Sequence, residues 1–266
     1  MNEIPEVGYG RVVHENDADY MLCLALDIGE GMLKNGAEVH RVEDTIERLC
    51  RAYGAEHTEI FAIPSVIIAA VRMPDGAYSS QIRRVKSSEN NMFMVEQLNK
   101  ISRRACRETP DLSKLDGMIR KVKTQKPYPY WLVVCGAALA TGSFAMFFGG
   151  TWRDALVAAF IGALMCLGEK IPVTGMNNFA KIAIQSFMAG VLAHLLVLVG
   201  VGQNVDNIMM GTIMYSIPGL ASGIAFRDLL YGDFLAGSLK IIQTLLVALM
   251  IAFGYFLAMF VFSGVM

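Results

Sequence analysis

Residues 216–233 read SIPGLASGIAFRDLLYGD, from Ser216 to Asp233. An apolar run is broken by Pro218-Gly219, loosened by Gly223 and closed by the charged pair Arg227-Asp228. Gly232-Asp233 follows just before the next apolar run. A soluble core helix avoids this mixture. Proline removes a backbone donor and interrupts the i→i−4 ladder. In a membrane, such breaks are tolerated where the segment lines a cavity, and they mark the substrate sites of many transporters.

Outward from this stretch, composition divides the chain. Mean hydropathy is +0.44, but residues 1–127 hold 18 Lys/Arg and 19 Asp/Glu, whereas residues 128–266 hold 5 of each. The split predicts a water-soluble domain over 1–127 and a membrane domain over 128–266. A formal net charge of −1 says nothing about nucleic acid, and no nucleic-acid partner is expected. Five cysteines, Cys23, Cys50, Cys106, Cys135 and Cys166, show no CxxC or Cys/His ligand spacing. They read as reduced structural thiols, and neither a metal nor a cofactor is expected. No signal peptide is visible, and residues 1–14 read as a loose tail.

The first half alternates between two periods. Apolar residues at helical spacing predict helices from Ala18 to Asn35, Glu38 to Tyr53, Glu89 to Arg107 and Leu112 to Lys123. Between them, β-branched runs from His57 to Ile63, Ser65 to Met73 and Ala77 to Val85, with a Pro74-Asp75-Gly76 turn, predict an antiparallel meander. The expected fold class is therefore an α/β cytoplasmic domain, helices plus a small antiparallel sheet, followed by an all-α transmembrane bundle of about five helices.

The expected spans are Tyr130 to Gly149, Trp152 to Leu167, Ile182 to Val201, Ile208 to Phe226 and Phe234 to Phe262. From Leu98 to Lys126 there are 9 bases and 3 acids, a block that suits a cytoplasmic flank against anionic lipid. Lys170, Lys181, Arg227 and Lys240 fall on the same side. The expectation is a multi-pass protein of the bacterial inner membrane, N-terminus cytoplasmic and C-terminus outside. Glu169-Lys170 and Pro172 read as an interfacial loop. Gly136, Gly162, and Gly219 with Gly223 at GxxxG spacing are candidates for close helix approach.

Candidate chemistry is sparse. His40, Glu43 and Glu47 share one side of the second helix, which suits either a metal or acid/base site or a charged surface with i,i+4 pairs. His194 in the third span is either a proton relay or an uncharged imidazole bonded to a neighbouring helix carbonyl. Gln185 and Ser186 read as helix–helix glue or as substrate contacts. Arg227-Asp228 is either a neutralised interfacial pair or a gate for a charged solute. There is no HExxH, GxSxG or P-loop.

Two separated segments carry a family resemblance. GEGMLKNGAEVHRVEDTIERLCRAYG, Gly29 to Gly54, resembles the N-terminal region of the threonine/serine exporter family. IPGLASGIAFRDLLYGDFLAGSLK, Ile217 to Lys240, resembles its Pro-Gly…Arg-Asp-Leu…Gly-Asp signature. Matching positions are Arg41, Val42 and Glu43 in the first and Pro218, Gly219, Arg227, Asp228, Gly232 and Asp233 in the second. With one set of spans, the sequence is similar to the larger subunit of the family's split two-component form. The resemblance implies a transporter subunit rather than an enzyme. Its partner would be a smaller membrane subunit in a hetero-oligomer, and it would export threonine, serine or a dicarboxylate such as succinate, driven by proton-motive force. The competing reading is a membrane-anchored enzyme with its site, hydrolase-like by family analogy, in the N-terminal domain.

Overall fold

The structure, a computed structural model, describes residues 17–86, 89–125, 128–171 and 177–263. The expected N-terminal tail, Lys126 of the basic block and Pro172 lie outside the described residues. The described residues form ten helices and one sheet. In chain order these are α1 (Asp17–Lys34), α2 (Val39–Ala52), β1 (His57–Ile63), β2 (Val66–Arg72), β3 (Tyr78–Arg84), α3 (Met92–Glu108), α4 (Leu112–Lys123), α5 (Tyr130–Phe147), α6 (Trp152–Glu169), α7 (Asn178–Leu198), α8 (Val205–Ser216), α9 (Gly219–Leu230) and α10 (Phe234–Phe262).

This corrects the expected fold class. The described residues are predominantly helical throughout. Its three seven-residue strands occupy only residues 57–84 and are an insert among helices, not an α/β domain. The expectation of about five transmembrane helices also fails. Among the described residues, α5, α7 and α10 are long and apolar enough to cross a membrane, and α8 with α9 adds a fourth if that pair, bent by 51°, is one span. The reason is local. α6 carries Arg153, Asp154 and Glu169 within 18 residues, and α8 and α9 have 12 residues each, against about 20 for a full crossing.

The chain forms two compact units. The first comprises residues 1–125 together with 224–239, and the second residues 126–223 together with 240–266. In the first, the sheet has the order β1-β2-β3 with both pairs antiparallel. Strand alternation turns Ala62, Ile67, Ala69 and Val71 into the core, where Leu22, Ile28, Met32, Val42, Ile46 and Leu49 of α1 and α2 meet them. Ala236, from the start of α10, is buried in this same core. Burial pushes the Cys50 thiol up to about 12, as suits an inert core residue.

The second unit packs on small residues. A Cβ on Gly211 would stand 2.6 Å from the Thr141 carbonyl and 2.8 Å from the Ala145 Cβ, so α8 lies directly on α5. Gly162 presses α6 onto the Thr141 side chain of α5. Gly136, Gly219 and Gly223 have nothing within 4 Å of such a Cβ, so the GxxxG pair forms no helix seam within these contacts. Only 22–28% of the three spans' apolar windows is buried, which leaves the apolar faces that lipid would contact.

Candidate functional site

The site is built on the first turn of α2. Four N–H groups at a helix start lack intrahelical partners, and a side-chain acceptor normally caps them. Glu38 holds the N-cap position but makes no capping bond. The acceptor comes from 189 residues away, where Asp228 Oδ1 receives the Val39 N–H at 3.0 Å. Asp228 is fully buried, and its negative charge complements the positive end of the α2 dipole. Glu38, released from capping, takes Arg227 instead, Nη1 to Oε1 at 2.6 Å. His40 stacks on Tyr231 with ring centroids 4.9 Å apart and planes 12° apart.

The α9–α10 turn explains why this stretch has its sequence. Gly232 has φ +93, a left-handed conformation that costs glycine least. The Gly232 N–H donates to the Leu229 carbonyl at 3.1 Å and the Asp233 N–H to the Asp228 carbonyl at 2.9 Å. This is the double bond pattern of a Schellman helix stop. The Asp233 carbonyl then accepts from the Gly237 N–H at 2.9 Å in the first turn of α10. A Cβ on Gly237 would stand 2.7 Å from Leu229, so the two helices meet closely at this corner. The signature residues 227–233 thus stop one helix, start the next and present Arg227 and Asp228 to α2.

Glu43 lies one turn further along α2. Its Oε1 accepts the Ala62 N–H at 2.7 Å, tying α2 to β1. Burial pushes the Glu43 carboxyl above its ordinary range. Asp233 and Asp228 act in the same direction, opposed by the Ala62 N–H and by His40. Glu47 pairs with Arg51, so His40, Glu43 and Glu47 serve three different contacts. Among the described residues no group of three or more His, Cys, Asp or Glu could hold a metal ion.

The raised carboxyl has a thermodynamic consequence. The folded chain binds the Glu43 proton more tightly than the unfolded chain, so this group's contribution to stability falls as pH rises through the ordinary value of 4.5 to the raised one. Above that window the loss is complete. Glu43→Gln keeps the acceptor for Ala62 and removes the charge. We expect E43Q to melt higher than wild type at pH 7.5, with the difference closing as pH falls towards 4.5, as measured by thermal unfolding over a pH series.

The remaining expected residues lie elsewhere. Arg41 points into a cleft between α2 and α3. Pro218 and Gly219 sit at the start of α9, roughly 13 Å of helix rise from Arg227. Ile217 there is extended, φ −62 and ψ 126, as the residue before proline prefers. The Pro218 carbonyl accepts from Ser222 N and Oγ at 3.0 and 2.9 Å. His194 is buried in α7, where its Nδ1 donates to the Gly190 carbonyl of its own helix at 2.8 Å and its ring stacks on Phe262. It lines a cavity of about 570 Å³ with Gln203, Asn204 and Asp206. Gln185 donates to the Met165 carbonyl at 2.8 Å, tying α7 to α6.

Sequence reasoning missed Glu38 and Asp154. Glu38 carries no local signal, because its partner is 189 residues away. Asp154 does carry one. Thr151 and Asp154 have the spacing of a capping box, and that box forms at the start of α6. Asp154 also accepts from the Gln203 and Asn204 N–H groups at 2.7 and 3.0 Å, pinning the loop before α8.

Three helices long and apolar enough to cross a membrane, among the described residues, are the features of a membrane protein. The sequence matches the family described as "Putative threonine/serine exporter" over residues 23–262, and the chain belongs to that family. It is 23% identical over 216 residues to the "Probable succinate transporter subunit YjjP" of Escherichia coli, covering 80% of this chain and 84% of that one. It is 22% identical over 242 residues to the "Probable threonine/serine exporter" of Mycobacterium tuberculosis, covering 90% of this chain but 46% of that protein. The chain therefore spans less than half the length of the mycobacterial relative. No solved structure matches.

Proposed function

We propose that the chain is one subunit of an inner-membrane exporter of small carboxylate-bearing metabolites, either threonine/serine-type amino acids or a dicarboxylate such as succinate. Family membership supports transport, and the names of the two relatives support these two substrate classes. The observation that carries the reading is the Arg227 corner. A plain anchor needs neither a broken span nor a buried carboxylate capping a distant helix. The guanidinium offers five donors, Glu38 takes the Nη1 donor, and the Arg227 side chain is 66% exposed. An incoming carboxylate finds an oriented fork beside an acid it can displace. The α9–α10 corner then loses one of its ties to α2 while the Asp228 cap on Val39 remains, and substrate binding is converted into movement of the two helices about that cap.

The N-terminus is proposed to be cytoplasmic, from the basic block that precedes α5. A smaller membrane subunit is proposed as partner, because the E. coli relative is named as a subunit and the mycobacterial relative is more than twice as long as the part matched here. Proton-motive force is the proposed driving force. The test is efflux of labelled threonine, serine and succinate from cells expressing this chain with its partner. One of the three should leave the cells faster than from cells lacking the chain, and an uncoupler should abolish the difference. Equal efflux of all three with and without the chain contradicts the proposal.

A further inference from the structure

A second charged feature lies on the first unit and plays no part in the Arg227 corner. Arg41 and Arg48 of α2 and Arg103 and Arg107 of α3 line one cleft of about 390 Å³, within the size range of small-ligand sites. The buried side chains of Thr45 and Ser102 also line it. Elsewhere in this unit the helical arginines are neutralised: Arg51 by Glu47, Arg104 by Glu108, Arg120 by Asp116 and Arg227 by Glu38. Arg48 is paired with Asp44 at 2.7 Å. Among the described residues, Arg41, Arg103 and Arg107 form no ion pair, although Arg107 Nε donates to the Arg103 carbonyl at 3.3 Å. Three unpaired guanidiniums thus share a single cleft. Gathering like charges costs free energy unless an anion offsets it.

We infer that this cleft binds a compact, multiply charged anion carrying phosphate. Guanidinium forks match phosphate oxygens in bidentate geometry. Forks arriving from two helices approach one centre from different sides. A tetrahedral oxyanion presents an oxygen to each, whereas a flat carboxylate presents two. The cleft needs no contact from the Arg227 corner, so the inference stands whether or not the transport reading does.

Phosphate is shared by soluble phosphorylated metabolites and by lipid headgroups, and the experiment separates them. The full chain is placed in nanodiscs of zwitterionic lipid and titrated calorimetrically with inorganic pyrophosphate. We expect saturable binding at one site, weakened at least tenfold by the double substitution Arg41→Gln/Arg103→Gln and unaffected by Arg84→Gln. All three side chains are exposed, and unchanged circular dichroism checks the fold. In discs containing anionic lipid, lost pyrophosphate binding identifies the headgroup as occupant, and unchanged binding identifies a soluble metabolite. Absence of saturable binding to the wild-type chain in zwitterionic discs, or equal affinity in the double variant, overturns the inference.

Discussion

Asp228→Ala should uncouple residues 224–239 from the first turn of α2. The substitution removes the acceptor of the Val39 N–H inside a region where Val39 is fully buried, so water cannot replace it. Loss of a helix cap costs about 0.5–2 kcal/mol, and a buried donor left unsatisfied costs about 1–3 kcal/mol. These describe the same bond and are not summed. A loss of about 2 kcal/mol is expected, together with the opening of the corner. Asp228→Asn keeps an acceptor and loses the charge at the helix start, so it should cost about 1 kcal/mol or less. Hydrogen exchange reads this directly. The Val39 amide should lose protection in D228A and keep most of it in D228N, while amides of the strands, such as Val71, are unchanged. Unaltered Val39 exchange in D228A would mean that the Asp228 carboxylate does not hold α2.

Gly254→Val should have the largest structural effect in the second unit. A Cβ at Gly254 would overlap the Ala183 carbonyl oxygen and stand 2.7 Å from the Ser186 Cβ and 2.9 Å from the Phe187 nitrogen. Two of these atoms are backbone and have no rotamer to change. Gly190 meets Ala258 across the same α7–α10 seam, 2.6 Å from a hypothetical Cβ. Overpacking costs about 1–3 kcal/mol where side chains can give way, and more where they cannot. About 3 kcal/mol or more is expected, seen as a sharp fall in folded protein recovered from membranes. Gly136→Val, at a position open to 4 Å, is the control and should be recovered normally. Equal recovery of the two variants would show that α7 and α10 are not packed on this seam.

Much of the local structure was legible because it is set locally. The alternation in residues 57–85 and the Pro74-Asp75-Gly76 turn specify three strands, and the apolar stripes of α1 to α4 specify helices. The class assignment failed because it treated 21 strand residues as defining a domain that helices dominate. The span count failed because hydropathy read over a window does not register Arg153, Asp154 and Glu169 in α6, or that Pro218 leaves two short helices in place of one long one.

The candidate site was half visible. Arg227, Asp228 and Asp233 stood out as charges in apolar surroundings, and Glu43 as one of three titratable residues on one side of the second helix. That Asp228 caps α2 while Glu38 turns to Arg227 is a tertiary fact, and no spacing rule links positions 189 residues apart. Gly232 lies in the signature stretch, and its role as a helix stop shows only in its dihedral angle. Gly219 and Gly223 show the opposite error, since GxxxG spacing suggested a seam where there is open space.

The most direct test of the account is efflux of the labelled substrate from cells expressing this chain with its partner, comparing wild type, Arg227→Lys and Arg227→Ala at equal amounts of membrane protein. The account predicts that Arg227→Ala lowers efflux at least tenfold. Arg227→Lys, which keeps the charge but loses the fork, should fall between the two. Efflux from Arg227→Ala equal to wild type would contradict the assignment of this corner to substrate export.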